Sequence, residues 1–385
     1  MKKIGLCICY DTKNYGSMLQ ARATCEVVSL LGYDYEINRY TRKKTIGLFF
    51  RSIGRIPGEM KKWLLRRKKK KILNKYPEIK EGIARREECF ESFITDYFNK
   101  VSLSCDTFSQ LKTLSRKYDA VLVGSDQLWR PEGYSTGFYN LLFVPDEIPK
   151  ISYATSFGTN DIPNNKKRAA KKFLNRFSAI SVRELQGSQI VKQLTGKTVP
   201  TTLDPTLLFT STEWKRNLKK VETKDRGKYI FCYFLGDNSE HRKQALKLKE
   251  LTGYKIITIP HLDEVVEGDF SFGDEQLFNI DPVGFFYLIE GADYILTDSF
   301  HGTVFSILNR KKFITFNRYT EQSKNSRNSR IDSLFTLLKL QARLYNGQIE
   351  NIFNEIEYNS VESRLDDFRD QSISYLKQAL SSIKE

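Results

Sequence analysis

The chain has little of what holds metals or cross-links. Its three histidines, 241, 261 and 301, are far apart, and its six cysteines include no CxxC pair. That spacing argues against a zinc site and against a disulfide framework, so no metal and no other cofactor is expected. No apolar run approaches the roughly 18–20 residues that span a bilayer. The opening run from Ile4 to Tyr10 stops at Asp11 and lacks a signal cleavage pattern. It reads as a buried first strand with Cys7 and Cys9 on one face, and the chain as cytoplasmic. Acidic residues are scarce too: 46 Asp and Glu against 62 Lys and Arg leave a net charge of +16.

The excess is local. Between Arg42 and Lys71 thirteen Lys and Arg accompany one acid, Glu59. Nucleic-acid binding wants aromatics interleaved with the cations, and Trp63 is the only one from 51 to 71, so no nucleic-acid partner is expected. A solvated helix face and an anionic membrane surface both remain. The membrane reading is favoured, because Leu48, Phe49, Phe50, Ile53, Trp63, Leu64 and Leu65 add an apolar face to the cations. The chain would then sit peripherally at the inner face of the plasma membrane.

The length of 385 residues suits two globular domains. A strand over 3–10, a helix from Met18 to Leu31 and a strand at Tyr35–Asn38 make a βαβ unit, hence a parallel sheet. Residues 42–100 interrupt it as a basic, largely helical insertion. Strands follow at Tyr118–Ser125, Lys150–Ser156, Ala179–Val182 and Thr198–Leu203. Thr210 to Asp225 reads as a linker. A second alternation then carries strands at Tyr229–Leu235, Lys255–Ile259, Asp293–Thr297 and Lys312–Phe316. The pattern predicts an α/β fold: two Rossmann-like domains facing a cleft, with a basic helical insertion in the first. The boundaries are 1–208, 209–345 and C-terminal helices over 346–385. Ligands of such sheets bind at the carboxyl ends of the strands, so the site is expected in the cleft.

Five strand-end segments bear chemistry. In Thr297-Asp298-Ser299-Phe300-His301-Gly302-Thr303 a strand runs into a helix start, whose free N–H groups and dipole favour an anion. Ser299 and Thr303 add hydroxyls, and His301 can exchange a proton near neutral pH. Arg183 follows a strand and either grips a carboxylate or phosphate as a fork or pairs with Glu184 on the surface. Asn14-Tyr15-Gly16-Ser17 is either a plain turn or a cradle for phosphate or sugar hydroxyls. Asp126, Gln127 and Trp129 suit a sugar, with hydroxyls on the polar groups and a ring face on the indole. Ser156 lies in a similar strand-end loop. Lys324 to Arg330 either adds cations to the cleft or is a solvated loop.

Six of these motifs, in order, resemble the polysaccharide pyruvyl transferase family. They are Asn14-Tyr15-Gly16-Ser17 with Leu19-Gln20, Gly124 to Trp129, Ser152 to Gly158, Ser181 to Glu184, Leu203 to Leu208 and Thr297 to Thr303. The resemblance implies a fold like that of the GT-B glycosyltransferases and transfer of a pyruvyl group from phosphoenolpyruvate to two sugar hydroxyls, as a ketal on a bacterial surface polysaccharide precursor. It implies His301 as catalytic acid, with Asp126 or Asp298 orienting or deprotonating the hydroxyl. Arg183, Ser299, Gly302, Thr303 and Arg330 would bind the donor. Asn14, Tyr15, Gly16, Gln127, Trp129 and Ser156 would bind the acceptor. The family pattern has an arginine two residues before the histidine, where Ser299 stands here; Arg327 or Arg330 would supply that cation. The implied acceptor is a lipid-linked saccharide on the cytoplasmic leaflet. A glycosyltransferase using a nucleotide sugar and a non-catalytic member of the fold stay open as alternatives.

The basic segment gives a direct test. Replacing Lys68 to Lys71 with Gln is expected to weaken sedimentation with anionic liposomes, at about 1 kcal/mol per cation near the headgroups. Unchanged sedimentation overturns the membrane reading.

Overall fold

The computed structural model describes residues 1–41, 67, 70, 72–219, 224–262, 266–319, 328–381 and 383. The basic segment 42–71, apart from Arg67 and Lys70, and Arg327 therefore lie outside the described residues. Two five-stranded sheets form the frame, each parallel throughout. The first comprises β1 (Lys3–Cys7), β2 (Asp34–Ile37), β3 (Ala120–Val123), β4 (Lys150–Thr155) and β5 (Ala179–Val182) in the order β2-β1-β3-β4-β5. The second comprises β6 (Tyr229–Tyr233), β7 (Lys255–Thr258), β8 (Glu275–Gln276), β9 (Tyr294–Thr297) and β10 (Lys312–Thr315) in the order β10-β9-β6-β7-β8. Strands such as Ala120-Val121-Leu122-Val123 are buried on both faces. That is why they read as continuous apolar runs.

In each sheet the strand order reverses beside the first strand. The crevices open between β1 and β3 and between β6 and β9. Loops leaving those four strands are the ones that can meet a common ligand. Two helices begin there. Helix α1 (Tyr15–Leu30) is capped by Asn14, whose side chain accepts the Ser17 N–H at 3.1 Å. The helix over Phe300–Leu308 is capped by Ser299, whose hydroxyl accepts the Gly302 N–H at 3.3 Å.

The two sheets share a core. Tyr15 of the first half stacks on Phe285 of the second with centroids 5.1 Å apart and planes at 12°. Trp214, on the helix Ser211–Asn217 that carries the chain between domains, is buried against Phe209, Phe286 and Phe305. Its indole N–H donates to the Thr206 carbonyl at 3.0 Å. The long helix Tyr358–Ser381 returns to the first sheet, where Tyr375 Oη donates to the Ser152 carbonyl at 2.8 Å. The insertion contributes the helix Pro77–Tyr97, whose Gly82 lies against Phe278 of the second domain.

Two sequence expectations are corrected here, and one strand went unread. Thr198–Leu203 is not a strand: Thr201 makes one isolated bridge to Val182, next to Pro200, which has no N–H for a ladder. Strand β1 ends at Cys7, so Cys9 sits in the following loop rather than sharing a buried face. The two-residue β8 was too short to leave a periodic trace.

Trp214→Ala is expected to cost about 3–5 kcal/mol, the range for truncating a buried aromatic. Leu246, 46% exposed, serves as control: Leu246→Ala should stay within about 0.5 kcal/mol. Urea unfolding of the two variants checks both figures.

Candidate functional site

The loops after β1, β3, β6, β9 and β10 and the start of the helix Ser329–Leu338 surround a cavity of about 540 Å³. Asn14, Asp126, Gln127, Ser299, His301 and Arg330 all line it. Gly16 closes it from behind, because a Cβ there would overlap the His301 ring. The first turn of α1 and the second-domain histidine thus touch directly, and only glycine permits that approach.

Behind the cavity lies a buried charge cluster. Arg183 Nη1 donates to Asp204 Oδ2 at 2.6 Å, and Arg183 Nη2 lies 3.6 Å from Asp126 Oδ1. His301 Nε2 is 3.7 Å from the same Asp204 Oδ2. Ser125 Oγ donates to that oxygen at 3.1 Å, and Thr206 donates to Oδ1 through its N–H and its hydroxyl. Burial disfavours the charged form of Asp204, yet the His301 ring, Arg183 and Thr206 hold its carboxyl far below the usual carboxylate range. Burial likewise opposes the Arg183 charge, and Asp204, Asp126 and Glu184 overcome it. Asp126 is lowered against its own burial by Arg183 and His301, and it accepts the Ser17 hydroxyl at 2.5 Å. Glu184 accepts from Ser156 Oγ at 2.9 Å and the Phe157 N–H at 3.0 Å, and burial pushes its carboxyl up.

Arg330 differs from Arg183. It is buried, and among the described residues no carboxylate pairs with it. With its amide oxygen turned inward, Gln127 accepts from both Arg330 Nη atoms at 3.0 and 2.9 Å. The guanidinium carbons of Arg183 and Arg330 lie 4.6 and 5.4 Å from the Phe300 ring centroid. Burial, with Arg183 nearby, pushes the Arg330 guanidinium down to about 9. Its charge is thus held at a cost, next to a cavity that an anion can enter.

Several expected site residues stand elsewhere. Trp129 is buried among Phe157, Phe173 and Phe177 and offers no face to a sugar. Tyr15 is sealed between Phe285 and Phe90. The Ser156 hydroxyl is spent on Glu184. Thr303 is turned into the sheet, bonded to the Ser299 carbonyl at 3.0 Å and Thr315 Oγ1 at 2.8 Å. Gly302 is packed on Thr297 and its N–H is already capped. Asp298 is a brace: it accepts the Leu235 and Gly236 N–H groups at 2.7 and 2.9 Å and Arg318 Nη2 at 3.3 Å. Arg183 is not among the residues lining this cavity; with Asp204, Phe300 and Arg330 it borders a small neighbouring one.

Asp204 and Arg318 were given no role from sequence, and Ser17 only a place in the candidate cradle. Asp204 lies in a quoted motif, but its partners come from β5 and from the second domain. Ser17 reaches Asp126 across 109 residues. Arg318, which lines the cavity, follows β10, and that strand-end position was its one legible signal.

Residues 14–319 match the sequence model of the family described as polysaccharide pyruvyl transferase. The chain belongs to that family. Membership makes it a transferase. No curated protein matches the chain in sequence. Among solved structures it is similar to the UDP-GlcNAc 2-epimerase of Neisseria meningitidis bound to UDP-GlcNAc, at TM-score 0.50 and 12% identity over 96% of this chain and 99% of that one. A UDP-GlcNAc 2-epimerase from Methanocaldococcus jannaschii gives TM-score 0.51 and 13% identity, covering 95% and 93%. A putative one from Listeria monocytogenes gives 0.52 and 10%, covering 98% and 91%. At such identities the likeness shows the fold alone, which is GT-B-like. Among the described residues, no three His, Cys, Asp or Glu side chains gather to hold a metal.

The buried cluster is testable in this pyruvyl transferase family member. Asp204→Asn is expected to cost about 3–5 kcal/mol, because it strips a buried pair of one partner. The Asp204 carboxyl is depressed in the fold, so its contribution is fully present above the ordinary Asp value of about 3.9 and fades as pH falls below it. Thermal midpoints measured across acid pH should therefore fall less steeply in the variant than in the wild type.

Proposed function

We propose that this chain transfers the pyruvyl group of phosphoenolpyruvate to two hydroxyls of a sugar in a surface polysaccharide precursor, forming a cyclic ketal. One observation carries the reading beyond family membership: the buried Arg330 guanidinium, without a carboxylate partner among the described residues, at a cavity that His301 also lines. Phosphoenolpyruvate brings a carboxylate and a phosphate, roughly three negative charges. Arg330, Arg318 and the helix start at Phe300 and His301 would offset them in a site with little water.

The chemistry follows from the neighbours of His301. Its imidazolium, oriented by Asp204, gives a proton to the methylene carbon of the enol, and the central carbon becomes electrophilic. A sugar hydroxyl, oriented by Asp126, adds to that carbon. The carbon–oxygen bond to phosphate then breaks, with the electron pair leaving on phosphate, and a second hydroxyl closes the ring. Of the two hydroxyl protons, one restores the imidazolium and the other leaves on the phosphate. The acceptor we favour is a lipid-linked saccharide met at the cytoplasmic face of an anionic membrane through segment 42–71. Among the described residues no helix is long and apolar enough to cross a membrane, so such a contact would be peripheral.

Thermal shift with phosphoenolpyruvate, UDP and GDP in parallel tests the donor. Phosphoenolpyruvate is expected to stabilise the chain, and Arg330→Met to weaken its binding about 10- to 100-fold, as loss of bonds to a charged group does. His301→Ala should keep the shift but lower phosphate release by about 10²–10⁴-fold. Stabilisation by UDP or GDP without phosphoenolpyruvate overturns the reading in favour of a nucleotide-sugar enzyme.

A further inference from the structure

The walls of the cavity differ in charge. The second-domain wall carries Arg318, Arg330 and His301. Along the first-domain wall, from Leu128 to Tyr139, one arginine and one acid offset each other: Arg130 Nε lies 3.4 Å from Glu132 Oε2. The rest of that wall is neutral, with Gly133, Thr136 and Tyr139. A three-carbon phosphorylated acid fills only a small part of 540 Å³, and the cationic wall claims it. The remaining space borders the neutral wall.

We infer that this wall is the acceptor subsite, and that it takes an uncharged pyranose on the Tyr139 ring with Glu132 accepting its hydroxyls. The inference rests on the transferase reading above and adds the position and charge class of the acceptor. Tyr139 suits the task because its backbone is fixed. The Trp129 indole N–H donates to the Tyr139 carbonyl at 3.1 Å, and Trp129 is locked among three phenylalanines. Trp129, expected from sequence to be the sugar platform, is instead the positioning residue behind it. The Tyr139 ring packs at a steep angle against Phe138, centroids 5.0 Å apart, while the side chain stays half-buried at the cavity. A held ring binds without paying rotamer entropy, and an aromatic surface beside a few polar groups suits a sugar with an apolar face and a polar edge.

Glu132 sets the charge class. Its side chain is 66% exposed and, among the described residues, its one ion-pair contact is to Arg130 through Oε2, which leaves lone pairs of the carboxylate to accept hydroxyl donors. Together with Asp126 it makes this end unfavourable for a uronate or a phosphorylated sugar. The donor's anionic wall and the acceptor's neutral wall are thereby kept distinct.

Saturation-transfer NMR on the full chain with phosphoenolpyruvate tests this, using methyl β-galactoside, methyl N-acetylmannosaminide and galacturonate as probes. The two neutral glycosides should bind and galacturonate should not. Tyr139→Ala should weaken the neutral glycosides about tenfold, while Tyr139→Phe retains them. Glu132→Gln, at an exposed position with little risk to folding, should weaken them too and admit galacturonate. The phosphoenolpyruvate thermal shift should be the same in all three variants. Equal glycoside binding by Tyr139→Ala and wild type overturns the inference, as does galacturonate binding to the wild type, or no glycoside binding at all. Glycosides that bind through Tyr139 in a chain that phosphoenolpyruvate does not stabilise would uphold this subsite and sink the donor reading instead.

Discussion

The site depends on one carboxylate. Asp204 belongs to the first domain, as does the Arg183 it binds at 2.6 Å, while the His301 ring 3.7 Å away belongs to the second. The Asp204 and Arg183 charges would each cost several kcal/mol to bury alone. Together, with Ser125 and Thr206 completing the oxygens, they form a network in which each member makes the others tolerable. The consequence is positional: the imidazole lies 3.7 Å from a group whose own place is set by Arg183 after β5 and by the turn at Pro205. A flexible surface histidine could not hold a proton at a fixed point in the cleft.

Arg330 shows the opposite condition. Where Arg183 is matched by Asp204 and Asp126, Arg330 meets the neutral amide of Gln127 and the face of Phe300. A cation held in this way is destabilised until an anion arrives, which favours binding of a small acid over a neutral sugar at that wall. The serine at 299 fits the same arrangement. It caps the helix rather than contributing charge, and the arginines that line the cavity from the second half of the chain are Arg318 and Arg330.

Local features were legible in the sequence because they are local in cause. Ala179–Val182 reads as a strand from four residues, and the helix start at His301-Gly302-Thr303 reads from the strand that runs into it. What failed to read were pairings set by distant chain. Trp129 beside Asp126 and Gln127 suggests a sugar platform. Its burial comes from Phe157, Phe173 and Phe177, and nothing near residue 129 announces them. Asp298 next to His301 suggests catalysis, yet its oxygens are taken by backbone N–H groups 62 and 63 residues away. Asp204 and Ser17 were undervalued for the converse reason, since their partners lie across the cleft or across the sheet.

The contact of Gly16 with His301 and the stack of Tyr15 on Phe285 also constrain how the domains can move. Both join α1 to the second domain next to the charge cluster. The helix bearing Trp214 and the returning helix Tyr358–Ser381 tie the domains again nearby. Any relative rotation that preserves these contacts pivots close to Asp204, so His301 and Arg183 shift little. Displacement then grows with distance from the pivot and is largest toward the outer cleft, where the Glu132 turn faces the second domain. A fold of this kind can open at its outer cleft while the His301 ring stays in place.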